Sequence, residues 1–189
     1  AAMPDIASAG LTARASGAAF TLGGRQFGIG TLVLRNDENP ADLRARLAAI
    51  AAARNLDVVA IDTAWVDAGP SLGANSVRIL KAPRVLLAWD APTSSLSAGW
   101  ARFSLERRFN QRVTTMRVST MPRANLADYD VIVLPAGNYG SVLSGAMLDR
   151  LREWMRTGGT LITLGEASRW AASAGLLDTH TELRDGRPD

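Results

Sequence analysis

The residues of this chain that could do chemistry gather where apolar runs give way to turns: Trp89-Asp90, Pro135-Ala136-Gly137-Asn138 and Gly165-Glu166. Asp90 and Glu166 are carboxylates that could share general acid–base work if neighbouring strand ends carried them. Gly137 and Gly165 would let a ligand approach the backbone closely, and a helix beginning just after each would favour an anion. The plainer reading is that the glycines make tight strand-to-helix turns and the carboxylates cap helices. Ser94, Ser95 and Ser97 offer hydroxyls, but no histidine stands where it could serve as their base, and serines ahead of a helix are ordinary caps. The one histidine, His180, lies in a polar stretch near the C-terminus, where a solvated imidazole is the simpler reading. Cysteine is absent, which removes disulfides, thiolate metal sites and cysteine nucleophiles. A lone histidine without thiolates leaves too few ligands for zinc. Neither a catalytic residue nor a metal ligand is therefore assigned.

Those turns are positioned by elements that hydropathy marks out. Residues 84–89, 113–118, 131–134 and 160–164 are nearly continuous apolar strands, separated by helices near 97–109 and 144–156, with another after 166. Such strands, spaced by helical segments, indicate a parallel sheet covered on both faces, with 84–89 beside 131–134. Ligands of open parallel sheets bind beyond the carboxyl ends of the strands, which is where the three turns fall. Upstream, residues 20–27 read as two short strands about Gly23-Gly24, and 31–34 as another. Asn39-Pro40-Ala41-Asp42 starts an alanine-rich helix running to Arg54, with Asn39 as its cap. Residues 56–61 read as a buried strand, which makes the first third a small β-β-α-β unit expected to pack on the parallel sheet. The division predicted is a small-residue tether over 1–17, the small unit over 18–75, the α/β domain over 76–177 and a polar tail over 178–189. Trp100, Trp154 and Trp170 fall in helical stretches and should pack on the sheet.

Composition narrows the partners. The chain has 189 residues, 47% of them hydrophobic, enough to bury a core. No apolar run is long enough for a membrane helix, and the first ten residues carry no signal-peptide pattern, so membrane insertion is not expected. Twenty-one basic residues against 18 acidic leave +3, and the basic residues are scattered rather than clustered with aromatics. Nucleic acid is accordingly not expected as a partner. Gly24, Gly28 and Gly30 lie in a hairpin and are not a dinucleotide fingerprint.

Residues 129–137, followed by a helix, Gly158-Gly159, a strand and Gly165-Glu166-Ala167, resemble the class I glutamine amidotransferase-like fold, a flavodoxin-like parallel sheet. In that family a Pro-Gly-Gly type loop supplies oxyanion-hole amides, and the next strand ends in a nucleophile elbow bearing cysteine. The corresponding positions here are Pro135-Ala136-Gly137 and Gly165, so the resemblance implies a frame without its nucleophile. A second resemblance covers more of the chain. Residues 20–32, 72–78, 83–87 and 158–170 are similar in order and motif to the C-terminal region of bacterial zinc carboxypeptidase family proteins. It implies a noncatalytic accessory domain whose partners are the parent's own peptidase domain and a peptide substrate. It also implies zinc held only in that peptidase domain, and an exported or periplasmic location. The family's His-x-x-Glu motif is absent from these residues. The alternative is an independent small-ligand-binding or hydrolytic domain using the strand-end cleft, with Asp90 and Glu166 as its polar groups.

Overall fold

In the computed structural model, which describes residues 2–177 and the backbone of 183–184 and 187–188, the chain divides into two units meeting at Ala82 and Pro83. No helix of the described residues is long and apolar enough to cross a membrane.

The first unit is built around a strand that composition hides. Residues 1–17, expected as a tether, instead hold helix α1 (Met3–Ser8) and strand β1 (Ala13–Ser16). Pro4 starts the helix and Gly10, with φ 69°, stops it; Ile6 and Ala13 are fully buried. Alanine, serine and glycine compose flexible linkers, but they also suit a strand squeezed between two neighbours. After β1 come β2 (Phe20–Leu22) and β3 (Arg25–Phe27), a hairpin about Gly23-Gly24 whose φ values are both positive, with Phe20 stacked on Phe27 at 4.9 Å. Next are β4 (Leu32–Val33), helix α2 (Leu43–Arg54) and β5 (Val77–Leu80). The sheet order is β4-β1-β5, antiparallel throughout.

That order corrects two expectations. Residues 56–61 form no strand, and Val58, Val59 and Ile61 are 48%, 44% and 44% exposed. β1 takes only two neighbours, and Val77–Leu80 fills the second place with all four residues paired. The unit therefore extends past residue 75 and is not β-β-α-β. Asn39 does not cap α2 either. Its amide accepts from Thr12 N–H at 2.8 Å and donates to Thr12 C=O at 3.0 Å, while Asp42 occupies the cap position.

Arg14 fastens the central strand to the turn before α2, donating from Nε and a terminal nitrogen to Glu38 at 3.0 and 2.6 Å. Arg14 holds the Glu38 carboxyl below its ordinary value, chiefly through this hydrogen bond and against the desolvation of a half-covered site. A carboxyl depressed on folding stabilises above its unfolded pKa, and that share is lost as pH falls through the folded pKa. Glu38 should thus titrate below the ordinary 4.5 in a carboxyl NMR titration. As pH falls from the ordinary Glu value through the lowered folded one, the first unit should lose stability, and Glu38→Gln should lose less over the same range. A Glu38 midpoint at or above its ordinary value would contradict this.

The second unit is a mixed α/β body with a four-stranded parallel sheet flanked by helices. Its elements are β6 (Val85–Trp89), α3 (Ser95–Phe103), β7 (Val113–Arg117), β8 (Val131–Leu134), α4 (Ala146–Arg156), β9 (Thr160–Thr163) and α5 (Glu166–Ser173). The order is β7-β6-β8-β9, with Val85 beside Val131 and Val131 beside Thr160, so 84–89 and 131–134 are neighbours as expected. Alternation divides the strands between two cores. Leu86, Ala88, Ile132 and Leu134 meet Leu151 and Trp154 of α4 and Trp170 of α5. Val85, Leu87 and Val133 meet Ala101 of α3 and Leu105 beyond it. The helix expected over 97–109 starts earlier and, after Phe103, widens into a π-helical turn. Trp154 and Trp170 are buried, but Trp100 is 63% exposed, because α3 packs on the sheet through Ala101 and buries Ala98 while Trp100 and Phe103 stay exposed. His180 and most of the 178–189 tail lie outside the described residues.

Candidate functional site

All three sequence-marked turns emerge at the same edge of the sheet, since parallel strands end together. β6 delivers Trp89 and Asp90, β8 delivers Pro135, Gly137 and Asn138, and β9 delivers Gly165 and Glu166. The point where chain order reverses lies between β6 and β8, and it is there that an open parallel sheet leaves a crevice.

The chain stitches that crevice with its own groups. Thr93 and Gly137 form an isolated antiparallel bridge. Ser94 N–H donates to Ala136 C=O at 2.7 Å, and Ala136 N–H donates to Ser97 Oγ at 3.0 Å. Ser94 Oγ in turn accepts from Ser97 N–H at 3.4 Å, so Ser94 caps α3 as its position suggested. Gly137 lies so close to Pro92 that a Cβ there would stand 2.6 Å from the Pro92 carbonyl oxygen.

Beneath the loop sits Tyr139, the largest fully buried side chain among the described residues. Its hydroxyl donates to Pro135 C=O at 2.7 Å, which leaves Thr93 Oγ1, 3.0 Å away, to donate to the phenolic oxygen. Burial raises the Tyr139 pKa, and the Thr93 hydrogen bond opposes that rise. The phenol therefore stays protonated at neutral pH and serves as a strut. Spacing does not single out Tyr139 or Thr93; the signal in the sequence is a hydroxyl-bearing aromatic just past Pro135-Ala136-Gly137.

Asp90 and Glu166 do not form a carboxylate pair. β8 lies between their strands, separating the two backbones by about 9–10 Å. Asp90, in the left-handed region at φ 66°, accepts from Ala91 N–H at 2.9 Å. Its other oxygen is 3.7 Å from Arg117 Nε, since β7 ends beside β6. Glu166 sits in the first turn of α5, exposed, where its charge complements the helix end. Asn138 accepts from Gly140 N–H at 3.1 Å, and Trp89 lies half-buried with the Arg102 guanidinium 5.9 Å from its ring.

The third turn keeps an unusual backbone. Gly165 has φ 57° and ψ −127°, a combination that L-residues enter only under strain. A Cβ there would lie 3.3 Å from the Ala136 Cβ, so the β8 and β9 turns abut. Among the described residues no group of three or more histidine, cysteine, aspartate or glutamate side chains could hold a metal ion. In comparisons with known proteins, no family model, no curated protein and no solved structure matches the chain.

Proposed function

We propose that this chain is a noncatalytic accessory region of a bacterial zinc carboxypeptidase family protein. Its second unit is read as a flavodoxin-like, class I glutamine amidotransferase-like domain that has lost its nucleophile. The observation that carries the reading is the pairing of an elbow-like turn at Gly165, which has no side chain to attack with, and a loop amide at Ala136 already spent on Ser97. The strand order within the unit, second-first-third-fourth, is also the one with which flavodoxin-like sheets begin. A strained strand-to-helix turn is what a nucleophile needs to project from a sheet. Retained without cysteine, it supports an inherited frame put to scaffolding or to positioning a peptide substrate. On this reading zinc belongs to the parent's peptidase domain, that domain is the principal partner, and the parent works outside the cytoplasm.

Two measurements test it. The chain should release no ammonia from glutamine and hydrolyse no member of a mixed peptide library. The reading frame upstream of the Ala1 codon should encode a metallopeptidase domain with His-x-x-Glu and a later histidine. Turnover that survives repurification and vanishes on mutating this chain would overturn the noncatalytic reading. An upstream frame without that domain would overturn the parentage.

A further inference from the structure

We infer that the first unit binds an extended peptide by strand addition, between the open edge of β4 and residues 58–61. The inference stands on this unit alone and does not depend on the amidotransferase-like reading of the second. A cavity of about 450 Å³ lies here, within the range of ligand sites. What distinguishes it is how its walls are made. Residues 31–34 line it consecutively, and so do residues 56–59, with Ile61 beyond. Residues 31–34 include β4, the end strand of its sheet, and residues 56–61 belong to no strand, so the space is bordered by an open sheet edge and by a segment that no ladder takes up.

Both edges have unused backbone. β4 is the end strand of its sheet, with β1 on one side and, among the described residues, no strand on the other. Among the described residues, Val58, Val59, Ala60 and Ile61 neither give nor receive a backbone hydrogen bond. Yet this run is rich in β-branched residues that suit a pleated strand, and its aliphatic side chains stand 44–48% exposed. The segment has the composition of a strand and lacks only a partner. A lipid or other small apolar molecule would cover the side chains but leave the amides unpaired. An extended peptide satisfies both at once, by main-chain hydrogen bonds along the edges and apolar contacts at alternate positions.

The lining also sets what the peptide must carry. Among the described residues that line it, Arg25, Asp57 and Thr31 are the polar ones, and the first two are already ion-paired to each other. Arg25 also lies over the Phe27 ring, 5.1 Å from its centroid. A peptide with charged residues at its centre would leave those charges uncompensated against apolar walls, whereas alternating valine or isoleucine fits.

The probe is a fluorescein-labelled, end-capped hexapeptide alternating threonine and valine, titrated into the full chain. Fluorescence anisotropy should rise to saturation, and amide exchange should slow at 31–34 and 58–61. The same peptide N-methylated at alternate residues should bind about tenfold more weakly, the loss of one or two backbone hydrogen bonds. Val59→Pro should weaken binding by a similar factor with the melting temperature unchanged, since the Val59 N–H has no bond to lose. The inference fails if the peptide does not bind, or if the N-methylated peptide binds equally well. It fails too if decanoate displaces the peptide while exchange at 58–61 stays fast. Protection at 58–61 that grows with protein concentration in the absence of peptide would identify a second copy as the occupant and overturn it.

Discussion

Gly137→Ala is expected to destabilise the second unit by about 3 kcal/mol, the upper part of the usual overpacking range. The added methyl would stand 2.6 Å from the Pro92 carbonyl oxygen and 3.2 Å from the Thr93 Cα. Both are backbone atoms, so no rotamer change relieves the clash and the loop itself must move. That loop is tied on every side. Gly137 bridges Thr93, Ala136 bonds Ser94 and Ser97, and Thr93 and Pro135 share the buried Tyr139 hydroxyl. Displacing it would strain several hydrogen bonds together, which is why the cost should exceed that of one buried methyl. Urea unfolding monitored through Trp154 and Trp170 provides the measurement, with Gly99→Ala as the control. Gly99 lies in α3 with open space where a Cβ would go, so alanine there should hold or slightly raise stability. If Gly137→Ala stays within about 0.5 kcal/mol of the parent, the level of an ordinary surface change, the closed crevice is misread.

The second unit was largely legible in the sequence because buried parallel strands are apolar on both faces. Residues 85–89 and 131–134 announce themselves without any knowledge of their partners, and helices between them force parallel crossovers. Gly137 and Gly165 could be placed on one edge for the same reason. Their neighbours could not. Whether Asp90 meets Glu166 or Arg117 depends on which strand lies beside β6 at each side, a global fact that local pattern does not contain.

The first unit resisted for a related reason. Residues 56–61 are the better strand by composition, yet residues 77–80 take the place beside β1. Tertiary context chose between two candidates that propensity ranks the other way. The small residues of β1 compounded the difficulty, since alanine and serine carry no hydrophobic period. Trp100 shows the reverse error: a helical aromatic promises burial, but the α3 residue packed against the sheet is the small Ala101.

Gly165→Cys is expected to fold at a cost of about 1–3 kcal/mol and to remain inactive toward glutamine. The cost has two sources. A side chain at φ 57° and ψ −127° must accept a strained backbone, and its Cβ would meet the Ala136 Cβ at 3.3 Å. That contact asks a neighbour to shift by a few tenths of an ångström, which a methyl at a loop can do. Inactivity follows from the surroundings rather than from the thiol. A cysteine nucleophile needs a base to deprotonate it, and no histidine occurs anywhere in residues 1–179. The negative charge of Glu166 beside it opposes a thiolate while the α5 N-terminus favours one, and neither takes up the proton as a base. The developing oxyanion would also need donors, and the Ala136 amide is committed to Ser97 Oγ at 3.0 Å. Adding Ser97→Ala releases that amide without supplying a base, so the double variant should be inactive as well. Ammonia release and thiol alkylation rate are the two readouts: no turnover, and alkylation at the pace of an ordinary exposed cysteine. Glutamine hydrolysis by either variant would mean that the frame still holds a working base and oxyanion site. Gly165 would then be one substitution from an enzyme, and an accessory role could not be argued from its side chain.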